Sequence, residues 1–264
     1  MVEIEKIIQR IRENTTSIDH TPDQVTMEKS TSKCECGGTG WVVDKETNTY
    51  TRCKCYEIER MNNLWKRYGV DPKEIKKLNE YRPMDYVQES ARDKAINYIT
   101  GFEKIKKTRE NGFGLFGQPG AGKTHIINSI GAALINKGIE TIYMPYLEAM
   151  RELKANAMDD EYYIKLSSRY QMAKVLIIDD LFKDKFKSGR LVGQLTEADM
   201  KHLYPIINYR YLNYLPTLIS TEATPESLAN LDEALAGRIL ETCGENITVF
   251  EGSKYNYRMR KFLK

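Results

Sequence analysis

The run Gly117-Gln118-Pro119-Gly120-Ala121-Gly122-Lys123-Thr124 satisfies G-x-x-x-x-G-K-[ST] at every fixed position, and it constrains the fold more than any other feature of the chain. Phe113-Gly114-Leu115-Phe116 enters it as a short buried strand. Ile126, Ile127, Ile130 and Leu134 leave it on the apolar face of a helix. A strand–loop–helix of this kind turns backbone N–H groups inward on phosphate oxygens and aims the positive end of the helix at the same charge. Residues 117–124 and the following His125 are therefore the expected nucleotide-binding residues. Lys123 would reach the β- and γ-phosphates, and Thr124 would supply an oxygen to Mg²⁺. A glycine-rich turn that contains Gly-Lys-Thr by accident would leave the flanking strand and helix unexplained.

Some fifty residues later, Val175-Leu176-Ile177-Ile178 forms a β-branched apolar run that ends in Asp179-Asp180. A central parallel strand delivers carboxylates to the carboxyl edge of a sheet in this way. Asp179 is placed to hold Mg²⁺ through its water shell, and Asp180 to polarise the attacking water. A core strand followed by a helix-capping Asp is the plainer alternative, but the preceding phosphate loop favours ATPase chemistry.

Upstream, Cys34-x-Cys36 and Cys53-x-Cys55 are separated by sixteen residues that read as a β-hairpin, with Trp41-Val42-Val43 and Tyr50-Thr51 on either side of a polar turn. Four cysteines converging in a reducing compartment suit a tetrahedral Zn²⁺; reduced free thiols are the alternative. Cys243 has no partner in the pattern and reads as a core residue. Ile4, Ile7, Ile8 and Ile11 mark an amphipathic helix, suited to docking on another protein or to packing on its own module, and a polar linker follows over residues 13–32. Ile58, Met61, Trp65 and Tyr68 mark another helix. Asp71-Pro72-Lys73-Glu74 carries the signals of a helix start. Residues 1–80 thus read as a zinc-stapled adaptor and 81–264 as the ATPase region.

In that region, strands are expected near residues 113–116, 140–144, 175–178, 216–220 and 246–250. Helices are expected over 91–102, 147–171 and 196–212. Strands alternating with helices imply an α/β fold, a five-stranded parallel sheet covered on both faces. The chain has 264 residues, 41% hydrophobic and 29% charged, with no apolar stretch of membrane-spanning length. Its N-terminus lacks the hydrophobic core of a signal peptide, so a cytoplasmic protein with no membrane partner is expected. A net charge of +3 is too small to imply a nucleic-acid partner by itself. Two local clusters are basic: Lys183, Lys185, Lys187 and Arg190 against Asp184, and the tail over 254–264. Either reads by default as solvated surface.

Taken in order, residues 117–124, the strand ending in Asp179-Asp180-Leu181, Ile206-Ile207-Asn208-Tyr209-Arg210, residues 216–222, Gly237-Arg238-Ile239 and Asn256-Tyr257-Arg258 resemble the AAA+ helicase loaders of bacteria and phages, the DnaC/DnaI group, with IstB-type transposition ATPases as close relatives. The resemblance covers about residues 81–264; upstream it rests on the general plan of a zinc-bearing adaptor. It implies a P-loop NTPase fold of the AAA+ type. Only fourteen residues follow Phe250, in keeping with loaders that lack a C-terminal lid.

The resemblance also assigns roles. Thr221, within Ser220-Thr221-Glu222, would sense the γ-phosphate, with Glu222 standing where Asn is commoner. Arg238 would enter a neighbouring subunit's ATP site, where a guanidinium spreads charge over phosphate oxygens. Arg258 would be a second phosphate-sensing arginine. An inserted helix, here about residues 147–163, would meet single-stranded DNA, and Arg151, Lys154, Tyr162, Tyr163 and Lys165 combine charge with stacking faces. The same residues also read as an ordinary amphipathic surface.

The leading expectation is an ATP-dependent loader of a hexameric replicative helicase, self-associating through its ATP site and cleaving ATP to ADP and phosphate. Turnover should be slow, because Asp180 is one methylene shorter than the Glu of faster AAA+ enzymes. An IstB-type helper of a transposase is the second reading. A P-loop kinase of a small metabolite is the third; it leaves Arg238 and the sensor unexplained. Ser188-Gly189-Arg190 faintly resembles the ABC signature but lies on the wrong side of the acidic strand.

Overall fold

The computed structural model describes residues 34–44, 47, 49–187, 190–252 and 255–259. The expected helix at residues 4–11, the linker over 13–32 and most of the basic tail lie outside the described residues. The chain divides into two compact units, Met1–Tyr56 and Glu57–Lys264.

In the first unit, β1 (Trp41–Asp44) and β2 (Thr49–Arg52) pair antiparallel, with Trp41 opposite Arg52 and Val43 opposite Tyr50. These four side chains share one face, since cross-strand partners point the same way. The Arg52 guanidinium lies 3.8 Å from the centre of the Trp41 ring and 4.1 Å from that of Tyr56. Helix α1 (Lys54–Tyr68) begins here and runs on into the second unit.

The second unit is built on five parallel strands. These are β3 (Phe113–Gly117), β4 (Thr141–Pro145), β5 (Val175–Leu181), β8 (Thr217–Thr221) and β9 (Ile247–Phe250), in the order β4-β5-β8-β3-β9. β3 is buried along its whole length and β5 at every position except Asp180, the run of apolar residues that a sheet covered on both faces requires. One face is covered by α1, α2 (Tyr86–Ile105) and α3 (Lys123–Asn136), through Tyr68, Tyr98, Ile126 and Ile130. The other is covered by α4 (Tyr146–Ala155), α5 (Asp160–Met172), α6 (Glu197–Leu212), α7 (Pro225–Leu231) and α8 (Glu233–Cys243), through Leu153, Leu166, Ile206 and Ile239. Cys243 is fully buried there. A small hairpin, β6 (Phe186–Lys187) with β7 (Arg190–Leu191), follows the acidic strand. Among the described residues no helix is long and apolar enough to cross a membrane.

Two local expectations are corrected. The single helix expected over 147–171 is two, because Asp159 accepts from the Tyr162 N–H and caps a new start. Asp71-Pro72-Lys73-Glu74 starts no α-helix. Asp71 accepts from the backbone N–H groups of Lys73 and Glu74, which closes one turn, and the chain coils again only as a 3-10 turn at Leu78–Glu80. Residues 57–80 fall in the second unit, where Tyr68 and Tyr81 share a core with the helix that leaves the phosphate loop.

At the opposite end of the sheet from the phosphate loop, Arg210 is fully buried. It donates to the carbonyls of Tyr170, Gln171, Ala173 and Pro216 and to the Thr217 hydroxyl. Five fixed donors make a guanidinium the side chain able to gather the loose carbonyl end of α5 onto the sheet. Burial pushes its pKa down to about 9.

Candidate functional site

The carboxyl ends of β3, β5 and β8 open into a cleft of about 560 Å³, lined by the loop between β3 and α3, by Asp180, Lys183 and Glu222, and by residues of the segment 70–88. Gly122 caps α3 in the left-handed region (φ 89°) with no side-chain cap, so the first N–H groups of the helix stay available to an anion. A Cβ at Gly122 would lie 2.6 Å from the Tyr81 ring, and the Tyr81 hydroxyl donates to the Ala121 carbonyl (2.9 Å). The ring thus props up the loop and tolerates only glycine beside it. Lys123 is buried and its Nζ donates to the carbonyls of Gly117 (2.7 Å) and Gln118 (2.8 Å). Burial pulls its pKa down to about 8 against the opposing pull of Asp180 and Glu222. His125 also lines the cleft, with its Nε2 2.9 Å from the Lys77 carbonyl and its ring edge-on against Tyr81.

Asp179 sits beneath the loop and is held from three sides. Its Oδ1 accepts from the Thr124 hydroxyl (3.2 Å) and from the Ser220 hydroxyl, and its Oδ2 from the Tyr143 hydroxyl (2.8 Å). Burial, then the charge of Asp179, pushes the Tyr143 pKa up, so the phenol remains a donor. Thr124 and Asp179 fit a shared Mg²⁺. Two oxygen ligands of one octahedral Mg²⁺ at about 2.1 Å stand roughly 3 Å apart, close to the separation found.

Neighbours on a regular strand point to opposite faces, so Asp179 and Asp180 could not both serve one cleft without a break in the pattern. The break is present. Between the pairs Ile178–Ile219 and Leu181–Thr221, two residues of β5 oppose one of β8. Asp180 takes a left-handed backbone (φ 54°), its N–H donates to the Ser220 hydroxyl (2.9 Å), and its carboxylate turns into the cleft. Burial raises the Asp180 pKa, Lys183 opposes the rise and Asp179 adds to it.

The remaining expected residues are distributed as follows. Thr221 does not face the cleft: its hydroxyl donates to the Leu181 carbonyl (2.7 Å) and accepts from the Ala223 N–H, closing the bulge. Glu222, next along, lines the cleft and meets Lys183. Arg238 lies outside the cleft lining on α8, donating to Asn208 Oδ1 (3.0 Å), the Ala234 carbonyl (2.8 Å) and the Tyr204 hydroxyl (3.0 Å). The Arg258 side chain is outside the described residues. Its neighbour Tyr257 lines the cleft and donates its N–H to the Gly120 carbonyl (3.1 Å), which brings this segment back to the loop. On the helical pair, Arg151 and Lys165 are exposed, whereas Lys154 pairs with Asp199 (2.6 Å), Tyr162 with Glu152 (2.5 Å) and Tyr163 with His202 (3.0 Å). Sequence reasoning missed Tyr143, Ser220 and Lys183, and the wall formed by Val70, Ile75, Tyr81 and Met84.

In the first unit, Cys34, Cys36, Cys53 and Cys55 bring their sulfurs within 4.8 Å of one another, with separations of 3.3 to 3.5 Å for three of the pairs. A tetrahedral ion with bonds of about 2.3 Å places its sulfurs roughly 3.8 Å apart, so the four fit a structural Zn²⁺. The Cys55 thiol and nearby backbone N–H groups pull Cys36 down to about 6, and the same crowding pushes Cys55 up.

Comparison with known proteins agrees with this geometry. Residues 24–261 match the family described as IstB-like ATP binding protein. The uncharacterized protein YqaM of Bacillus subtilis (strain 168) is 35% identical over 221 residues, 81% of this chain and 67% of YqaM. The phage-like element PBSX protein XkdC of the same organism is 37% identical over 164 residues, 62% of this chain and 59% of XkdC. The crystal structure of DnaI superposes with a TM-score of 0.55 at 22% identity, over 70% of this chain and 94% of that one, and so shares its fold. By these matches the chain belongs to the IstB-like ATP binding protein family.

Proposed function

We propose that the protein is an ATP-dependent loader that delivers a hexameric replicative helicase of the DnaB type onto single-stranded DNA in the cytoplasm. The observation that carries this reading is the combination, in one chain, of a four-cysteine hairpin with an ATPase sheet that shares the fold of DnaI over 94% of that chain. The hairpin, with the segment that precedes it, would grip the helicase. Its open face of Trp41, Val43 and Tyr50 offers the aromatic and apolar area on which protein contacts concentrate.

In this reading the backbone N–H groups at the start of α3 and the Lys123 ammonium bind the phosphates, and Thr124 and Asp179 hold Mg²⁺. A Mg²⁺ held there would offset the negative charge of the phosphate oxygens. Tyr143 and Ser220 fix the Asp179 carboxylate so that it need not reorganise. Asp180 accepts the proton of the attacking water, and its short side chain suits slow turnover. Arg238 acts on the site of a second copy, after leaving Asn208 and Tyr204, and Arg258 supplies charge from the returning segment. Replacing Arg238 with Ala should leave nucleotide affinity of the isolated chain unchanged while abolishing hydrolysis that depends on self-association. Exposed Arg151 and Lys165 on the helical pair would follow the DNA backbone.

A second reading, in keeping with membership of the IstB-like family, is an ATPase helper of a transposase. Copurification against the host replicative helicase and a transposase, with and without ATP, separates the two. Retention of the transposase alone would refute the loader.

A further inference from the structure

Glu222 places a buried carboxylate where the loader resemblance leads one to expect a neutral amide, in a cleft that already holds Asp180 and has Asp179 bonded to Thr124 at its edge. A third acid beside a phosphate site is unfavourable unless something cationic accompanies it. The companion is Lys183. Asp180 and Phe182 both adopt left-handed backbone (φ 54° and 60°), and the Lys183 N–H donates to the Asp180 carbonyl (3.0 Å), so the chain reverses in a tight turn directly after the acidic strand. The turn carries the Lys183 side chain back over the cleft. There its Nζ meets the Glu222 carboxylate and stands 3.7 Å from Asp180 Oδ2. The other lysine of the turn is not available for this task, since Lys185 Nζ is held between Asp184 and Asp199, each at 2.9 Å.

We propose that Lys183 is a second phosphate-contacting cation, acting in cis: it binds the terminal phosphate of ATP beside Asp180, with Glu222 as its anchor. The proposal rests on the ATP reading above and names the group that distinguishes triphosphate from diphosphate. A water polarised by Asp180 must lie between that carboxylate and the terminal phosphate, so a phosphate oxygen in position for attack comes within reach of an ammonium fixed beside the same carboxylate. Without this cation the terminal phosphate would face Asp180 and Glu222 directly, and like charges at that range repel strongly. Nucleotides that lack the third phosphate meet Lys123 and the loop but not Lys183. Glu222 is therefore a positioning residue: it keeps the lysine stem folded into the cleft.

The test is calorimetric titration, with Mg²⁺, of a non-hydrolysable ATP analogue and of ADP into full-length wild type, Lys183→Ala, Lys183→Gln and Lys183→Arg, with phosphate release measured in parallel. A charge-assisted contact of ordinary strength predicts that Ala and Gln each weaken the analogue about 10- to 100-fold, leave ADP within about twofold and slow hydrolysis, whereas Arg retains most of the discrimination. Glu222→Gln should lose part of the same discrimination. Equal loss for both nucleotides, no loss for either, or faster hydrolysis in the Ala and Gln variants would overturn the role of Lys183 while leaving the ATP reading intact. If folded wild type takes up neither nucleotide, the ATP reading falls, and this proposal with it.

Discussion

Arg210 permits a quantitative forecast, because all of its hydrogen-bond partners are identified and none is a carboxylate. Replacing it with Met keeps much of the volume and removes five donated hydrogen bonds. The Pro216 carbonyl keeps a partner, since it also accepts from the Leu176 N–H (3.1 Å), and the Thr217 hydroxyl still donates to the Leu215 carbonyl (3.2 Å). The carbonyls of Tyr170, Gln171 and Ala173, at the end of α5, lose the donor that gathers them. A buried acceptor left without a donor costs about 1–3 kcal/mol, so three of them cost roughly 3–9 kcal/mol, and fraying of the helix end brings the sum toward about 3–5 kcal/mol. Relief from burying a guanidinium acts in the other direction and is part of why the lower end applies. Urea unfolding followed by circular dichroism should show a lower midpoint with an unchanged slope, and Lys at this position, with three donors instead of five, should fall between. A loss under about 1 kcal/mol for Met would refute the reasoning, since the carbonyls would then have been satisfied without the arginine.

Other outcomes follow from the site. Because burial holds the Lys123 pKa near 8, the ammonium that meets phosphate is lost as pH rises through that value. Nucleotide affinity should therefore fall between pH 7 and 9, and titration of Lys123→Arg should flatten the profile. Tyr143→Phe removes one of three restraints on Asp179 and should raise the Mg²⁺ concentration needed for half-maximal hydrolysis about tenfold, with little effect on metal-free nucleotide binding. Elemental analysis should find one Zn²⁺ per chain, and Cys36→Ser should lose it and expose β1 and β2 to proteolysis while the P-loop unit keeps its thermal transition.

What could be read from sequence was what local chemistry encodes. The phosphate loop needs left-handed glycines at fixed spacing. The acidic strand needs an unbroken apolar run, and the cysteine pairs need only a hairpin between them. Those signals lie within a few residues of one another. Tyr143, Ser220 and Lys183 come from three separate segments and converge only through the strand order β4-β5-β8 and the bulge opposite Ser220, which no periodicity reports. The break between α4 and α5 did leave a trace, the capping Asp159, hidden in a stretch with no Gly or Pro. Arg210 and Asn208 belong to the motif that suggested a family. In the structure the first is a buried tie and the second a resting partner for Arg238.

Asp180 occupies a left-handed backbone that favours glycine and that Asp tolerates better than most side chains, at a cost of up to about 1–2 kcal/mol. Glycine here would remove that cost. Keeping an acid there means that the molecule carries backbone strain at the point where it works, and variants at 180 that gain thermal resistance should be the very ones that fall silent.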